Sequence, residues 1–123
     1  MKKAMIVGCL GQDGKLLSEL LAAKDYKVQG IHRAGEVDIT QRPQVEESVK
    51  VFQPDEIYYL AAFHHSSQDR PVPDVELFEK SFQVNTFGLI YFLEAMKKYS
   101  PRSKLVYAAS SRIFGEPAAE IQD

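Results

Sequence analysis

The stretch Gly8-Cys9-Leu10-Gly11-Gln12-Asp13-Gly14 constrains this chain more than any other. The apolar run Ala4-Met5-Ile6-Val7 enters it, short and closed by glycine, as a buried parallel strand is. Lys15-Leu16-Leu17-Ser18-Glu19-Leu20-Leu21 leaves it, with Leu16, Leu17, Leu20 and Leu21 at the spacing of one helical face. The glycines therefore fall at a strand-to-helix turn. Unpaired amides and the positive end of the helix dipole lie at such a helix start, and both favour a phosphate. Glycine lets the backbone come close to that phosphate, because no Cβ stands in the way. A tight turn with no ligand would collect glycines as well. The spacing G-x-x-G-x-x-G differs from the G-x-G-x-x-G of the commonest dinucleotide fingerprint. Nor is it a nucleoside-triphosphate P-loop: Cys9 stands five residues before Gly14, and Leu16 stands where Ser or Thr would hold magnesium.

Composition narrows the class. The 123 residues, 45% hydrophobic and 26% charged, suit one soluble domain or part of one. With 15 basic and 17 acidic residues and no Lys/Arg stripe, nucleic acid is not expected as the main partner. The single Cys excludes an internal disulfide and fits a reducing compartment. Met1-Lys2-Lys3 mimics the start of a signal peptide, but Gln12-Asp13 ends the apolar run short of an h-region. No stretch approaches the length of a transmembrane helix, so a cytoplasmic location without membrane contact is expected.

Further along, Lys27-Val28-Gln29-Gly30-Ile31 reads as a second strand ending at His32-Arg33. Val37-Asp38-Ile39-Thr40 reads as a stub of a third strand, with Thr40 placed to cap the next helix. That helix carries Val45, Val49 and Phe52, and Gln53-Pro54-Asp55 stops it. Glu56 to Ala62 reads as a fourth strand, followed by a loop with His64, His65, Pro71 and Pro73. One long helix is expected from Asp74 to Tyr99, with Val75, Phe78, Phe82, Leu89, Phe92, Leu93 and Met96 at helical intervals. Its phenylalanines read mostly as core. A fifth strand from Lys104 to Ala109 runs into Ser110-Ser111. Alternating strands and helices predict an α/β fold: a Rossmann-like, doubly wound parallel sheet over 1–123, incomplete at its C-terminal side. Ligands on such a sheet bind beyond the carboxyl ends of the strands, where the glycine loop, His32-Arg33, Asp38-Ile39, Ala61-Ala62 and Ser110-Ser111 collect.

These residues together resemble the extended short-chain dehydrogenase/reductase (NAD-dependent epimerase/dehydratase) family. The likeness is to its sugar-nucleotide enzymes, and within them to the branch of 4,6-dehydratases that act on GDP-mannose. The motifs that carry it are Gly-x-x-Gly-Gln-Asp-Gly, Asp38-Ile39-Thr40, Pro54-Asp55-Glu56-Ile57-Tyr58 and Leu60-Ala61-Ala62. Val84-Asn85-Thr86 with Gly88, and Ser110-Ser111-Arg112-Ile113-Phe114-Gly115, complete the set in the right order. The resemblance implies that Gly8, Gly11 and Gly14 line a pyrophosphate, with Gln12 and Asp13 beside it. It implies that Asp38 and Ile39 flank an adenine, that Ala61 and Ala62 pass under the cofactor, and that Asn85 lies in the long helix near the sheet. Ser110 would hydrogen-bond the sugar at the reacting carbon, as the one catalytic residue within the chain. Two roles stay open for Asn85, a site residue or a satisfied helix amide, and two for Ser110, a substrate contact or a loop cap.

At the end of the second strand an NAD-selective site usually carries a carboxylate for the ribose 2′-hydroxyl. Here His32 and then Arg33 stand there, and Arg suits a 2′-phosphate, so NADP(H) is expected over NAD(H). Adjacent His64-His65 without a third ligand make a poor metal site, and Cys9 reads as a small filler. Two features depart from the family. No Tyr has a Lys four residues later, so the proton-transfer pair is absent and the chain alone is expected to be inactive, as the N-terminal part of a longer enzyme. Arg112 occupies the position of the dehydratases' basic Glu, which weighs against dehydration but not against C4 oxidation. An epimerase or 4-keto reductase therefore stays open, as does a dinucleotide-sensing module without catalysis. The resemblance also implies a homo-oligomer packed through the helix at 74–99.

Overall fold

The computed structural model describes residues 1–32, 35–61 and 74–108. Four strands, β1 (Lys3–Val7), β2 (Lys27–Ile31), β3 (Glu56–Tyr59) and β4 (Lys104–Tyr107), form one sheet in the order β2-β1-β3-β4. All three pairings are parallel, with Val7 opposite Ile31 on one side and Tyr59 on the other. Parallel neighbours need crossovers, and helices supply them: α1 (Gln12–Ala23), α2 (Arg42–Phe52), α3 (Asp74–Ser81) and α4 (Gly88–Tyr99). This is the doubly wound, Rossmann-like α/β architecture that the alternation of elements predicts.

Because β1 is covered on both faces, Ala4, Met5, Ile6 and Val7 are all buried, and the strand reads as continuous apolar sequence. Met5 and Val7 join Ile57, Tyr59, Phe92 and Ala95 under α2 and α4, while Ala4 and Ile6 pack with Leu21 and Leu17 of α1 on the other face. At its C-terminus α2 turns at Gln53 in the left-handed conformation (φ 51°). The Gln53 side-chain amide then bonds Lys50 O and Tyr99 O, tying the ends of α2 and α4 together.

The structure corrects four expectations. Val37-Asp38-Ile39-Thr40 is a turn, not a strand: Asp38 Oδ1 accepts from both Thr40 N (2.9 Å) and Thr40 Oγ1 (2.7 Å). Gln44 Oε1 takes the Asp38 N–H (2.8 Å) that a ladder would have used. Thr40 does not cap α2: its hydroxyl donates to Asp38, and Gln41 is the N-cap, with no side-chain cap bond and Pro43 in the first turn. Leu16 and Leu20 are exposed, and only Leu17 and Leu21 meet the sheet. The helix at 74–99 is continuous but passes through a π-helical stretch, Phe82–Phe87, and the phenylalanines divide about it: Phe92 is fully buried, whereas Phe78 and Phe82 are 65% and 52% exposed.

Candidate functional site

At β1 the strand order reverses, with β2 to one side and β3 to the other, and ligands of open α/β sheets bind at such a point. A cleft of about 730 Å³ opens there, at the carboxyl ends of the strands. Its floor is the glycine loop at Gly8, Leu10 and Gly11. One wall runs from His32 through the turn at Val37–Thr40, and the other rises from Leu60 and Ala61 to Lys80, Gln83 and Val84 of the long helix.

The three glycines of the loop have different reasons to be glycine. Gly8 has φ +92°, and a Cβ there would come within 2.9 Å of Ala61 N and 3.0 Å of Leu60 C. Its amide, with that of Cys9, is held by Ile31 O (2.8 and 3.3 Å), which pins the loop to the end of β2. Gly14 is buried inside the first turn of α1, where a Cβ would be driven onto Gly8 O and within 2.8 Å of Cys9 Cα. Gly11 is unlike both. It caps α1 in an ordinary extended conformation (φ −70°, ψ 169°), and a Cβ would meet nothing nearer than Gly8 O at 3.5 Å. The fold does not require glycine there. What a methyl group would fill is the open space above a helix start, which is the approach a phosphate uses.

Asp38 lies in the cleft wall beside Ile39, with Oδ1 committed to Thr40 and Oδ2 without a partner among the described residues. His32 ends β2 in the same wall; its carbonyl holds Gly35 N (3.0 Å), and its Nδ1 is buried without a hydrogen-bond partner among the described residues. Cys9 packs against β2, where a Cβ on Gly30 would come within 2.6 Å of its Sγ, in keeping with a filler.

Not every expected residue reaches the cleft. Gln12 and Asp13 open α1 on the exposed side, at the rim rather than in the lining. Asn85 lies half-buried in the π-helical stretch, donates from Nδ2 to Ser81 Oγ (3.2 Å) and is not part of the lining. Arg33, Ala62, His64, His65, Ser110 and Arg112 lie outside the described residues. Conversely, sequence reasoning gave no site role to Lys80 and Gln83, and named Val84 only within the motif shared with the family. Their i, i+3, i+4 spacing marks one helical face, but the stronger apolar stripe of the same helix masked it. Among the described residues no three His, Cys, Asp or Glu side chains stand together to hold a metal ion. No helix among them is long and apolar enough to cross a membrane.

Two phenols near the site are shifted. Burial, reinforced by the Glu56 carboxylate to which it donates (2.9 Å), pushes Tyr58 up to about 12. Tyr59 is raised well above the ordinary phenol range, mainly by burial and then by Tyr107.

Fold and cleft define a Rossmann-like α/β domain with a candidate ligand site at the switch point of a parallel sheet. A family model described as the NAD dependent epimerase/dehydratase family matches residues 4–123, and the chain belongs to that family. Among curated proteins it is similar to a GDP-mannose 4,6-dehydratase of Yersinia enterocolitica, 31% identical over 94% of this chain. The chain spans 37% of the length of that relative. Among solved structures it is similar to a Bacillus anthracis dTDP-4-dehydrorhamnose reductase in complex with NADP, with a TM-score of 0.72 and 26% identity over 87% of this chain and 36% of that one. The fold is likewise that of the Bordetella bronchiseptica enzyme WbmH in complex with NAD+, with a TM-score of 0.76 and 24% identity over 94% of this chain and 41% of that one.

Proposed function

We propose that this chain is the dinucleotide-binding part of a longer nucleotide-sugar-modifying enzyme, most like the GDP-mannose 4,6-dehydratases, and that it takes NADP(H) in preference to NAD(H). The observation that carries the reading is Gly11, a glycine the fold does not need, set at a helix start on the floor of the cleft. The bound cofactor would supply a hydride acceptor for oxidation of the sugar at C4. The chain's own residues bind and orient. Gly8 and Gly14 fix the turn, Gly11 leaves room for the pyrophosphate, and Gln12 and Asp13 flank it from the rim. Asp38 accepts an amino hydrogen of the adenine on Oδ2, Ile39 packs against the ring, and the small side chains Ala61 and Ala62 leave room for the cofactor to pass. The unpartnered Nδ1 of His32 suits a ribose or phosphate oxygen. Arg33 meets the 2′-phosphate through charge-assisted bonds. Asn85 orients its end of the helix wall, and Ser110 hydrogen-bonds the reacting sugar.

The exposed apolar residues of the long helix, Val75, Phe78, Phe82 and Leu93 among them, form the face on which a second copy packs. No Tyr of the chain has a Lys four residues later to complete a proton-transfer pair, so the 123 residues alone do not turn over a nucleotide sugar. The test is calorimetric titration of the full-length protein with NADPH and NADH, wild type and Arg33→Ala. Tighter NADPH binding, lost selectively in Arg33→Ala, is expected. Tighter NADH binding, or NADPH affinity unchanged in the variant, refutes the preference, and binding of neither refutes the reading.

A further inference from the structure

We infer that Tyr59 is a positioning residue for the cleft: from the central sheet its hydroxyl anchors the π-helical turn that carries Gln83 and Val84, and thereby sets the helix wall of the ligand site. The inference rests on the dinucleotide reading above and goes beyond it. No part of Tyr59 lines the cleft, and the ring is fully buried, edge-on to Phe92 (centroids 5.7 Å apart, 68° between planes). At that depth a phenol hydroxyl needs a partner, since a buried unsatisfied donor is more costly than a made bond is favourable. The partner is the main-chain carbonyl of Val84, to which Tyr59 Oη donates.

Val84 sits in the wide turn. At its end the amide of Gly88 bonds to Gln83 O, five residues back rather than the four of an α-helix. Turns of this kind lack the regular packing that holds an α-helix in register, and they collect at functional sites. Here an outside clamp is present, and the sequence makes room for it. A Cβ on Gly88 would be driven onto Tyr59 Oη, would come within 3.2 Å of Gln83 O, and would stand 3.5 Å from Ile39 Cδ1. Gly88 is thus the small residue that lets the hydroxyl of β3 reach the helix. Ile39, in the opposite wall of the cleft, stands beside the same point. One hydroxyl, one glycine and one wide turn therefore hold Gln83 and Val84 across the cleft from the glycine loop.

Tyr59→Phe keeps the ring and its packing and deletes only the clamp. In the full-length protein the variant should fold, and its dissociation constant for NADPH should rise by about threefold to tenfold, the worth of one ordinary hydrogen bond. Gly88→Ala should lower the melting temperature and weaken NADPH binding, and adding Tyr59→Phe should recover part of both, because the atom the new methyl strikes is gone. A merely structural tyrosine would lower the melting temperature and leave NADPH affinity unchanged, with any rescue of Gly88→Ala confined to stability, and that result overturns the inference while the wild type still binds. If the wild type binds neither NADPH nor NADH, the dinucleotide reading falls and this inference with it. Should Tyr59→Phe fail to fold, hydrogen exchange of the wild type decides: slowing of the amides across 82–89 on adding NADPH supports the clamped wall, and identical exchange overturns it.

Discussion

Gly11→Ala separates a phosphate cradle from a tight turn without a ligand. The geometry fixes both halves of the expected result. On the folding side, Gly11 has φ −70°, which alanine adopts freely, and the new methyl meets only Gly8 O at 3.5 Å, ordinary contact. Alanine stabilises through the unfolded chain by about 0.4–1 kcal/mol at such a site. It is a poorer N-cap than glycine by something on the order of 1 kcal/mol. The two nearly cancel, so the unfolding free energy should move by less than about 1 kcal/mol. On the binding side, a methyl on the floor of the cleft holds a pyrophosphate off the loop amides. Loss of one charge-assisted hydrogen bond costs about 1.5–3 kcal/mol, roughly 10- to 150-fold in Kd. Urea unfolding and calorimetric titration with NADPH on the full-length protein read the two quantities separately. Gly14→Ala is the contrast: its methyl strikes Gly8 O and comes within 2.8 and 2.9 Å of the Cys9 backbone, which cannot rotate away. Overpacking of that kind costs about 1–3 kcal/mol and moves the loop, so stability and affinity fall together. An NADPH affinity for Gly11→Ala within about twofold of wild type, at equal stability, would refute the cradle and leave a bare turn.

Three further outcomes are expected. Tyr58 and Tyr59 both hold their protons more tightly folded than the ordinary value of 10.0, so the stability they lend is complete below about pH 10 and fades as the pH rises toward 12 and beyond; urea midpoints against pH should show that decline, shallower in Tyr58→Phe. Phe78→Glu places a charge on a 65%-exposed apolar residue and should shift the full-length protein toward monomer in light scattering without lowering its melting temperature, whereas an unchanged mass removes this face from the interface. With Arg112 in place of a carboxylate base, the full-length protein should form little 4-keto-6-deoxy product from GDP-mannose; efficient formation, unchanged in Arg112→Ala, would put the base elsewhere.

The sequence was most legible where local chemistry and the fold agree. Ala4–Val7 closed by Gly8, the stop at Gln53-Pro54 and the glycine loop itself all appear where the residue types predict. Val37–Thr40 misled because β-branched residues alternate there, while the deciding interactions come from side chains: Asp38 onto Thr40, and Gln44 from a later helix onto the Asp38 amide. Leu16 and Leu20 misled in another way. Their spacing is helical, but α1 crosses the sheet along Leu17 and Leu21, and only tertiary packing sets that line. The wide turn at Phe82–Phe87 has no local signature; its determinants, Tyr59 and Gly88, are remote from one another in sequence. The helix wall of the cleft was hidden for the same reason, since Lys80, Gln83 and Val84 acquire their position only once the helix lies across β3.

The all-parallel sheet also dictates an order of events during synthesis. No strand can pair with its immediate successor through a hairpin, so every ladder waits for a helix to be made first. The β1-β2 pair with α1 can close once residue 31 has emerged, and it buries Ala4, Ile6 and Leu21 on one face. The other face of β1, with Met5 and Val7, meets Val45, Val49 and Phe52 of α2 first, and is completed only by Ile57 and Tyr59 of β3 and then by Phe92 and Ala95 of α4. Until then the nascent chain carries a partly covered core, in a topology whose long-range pairings close slowly. A ribosome stalled between β3 and α4 would therefore present a sticky apolar sheet to holdase chaperones, and the docking of Phe92 is the event that releases it.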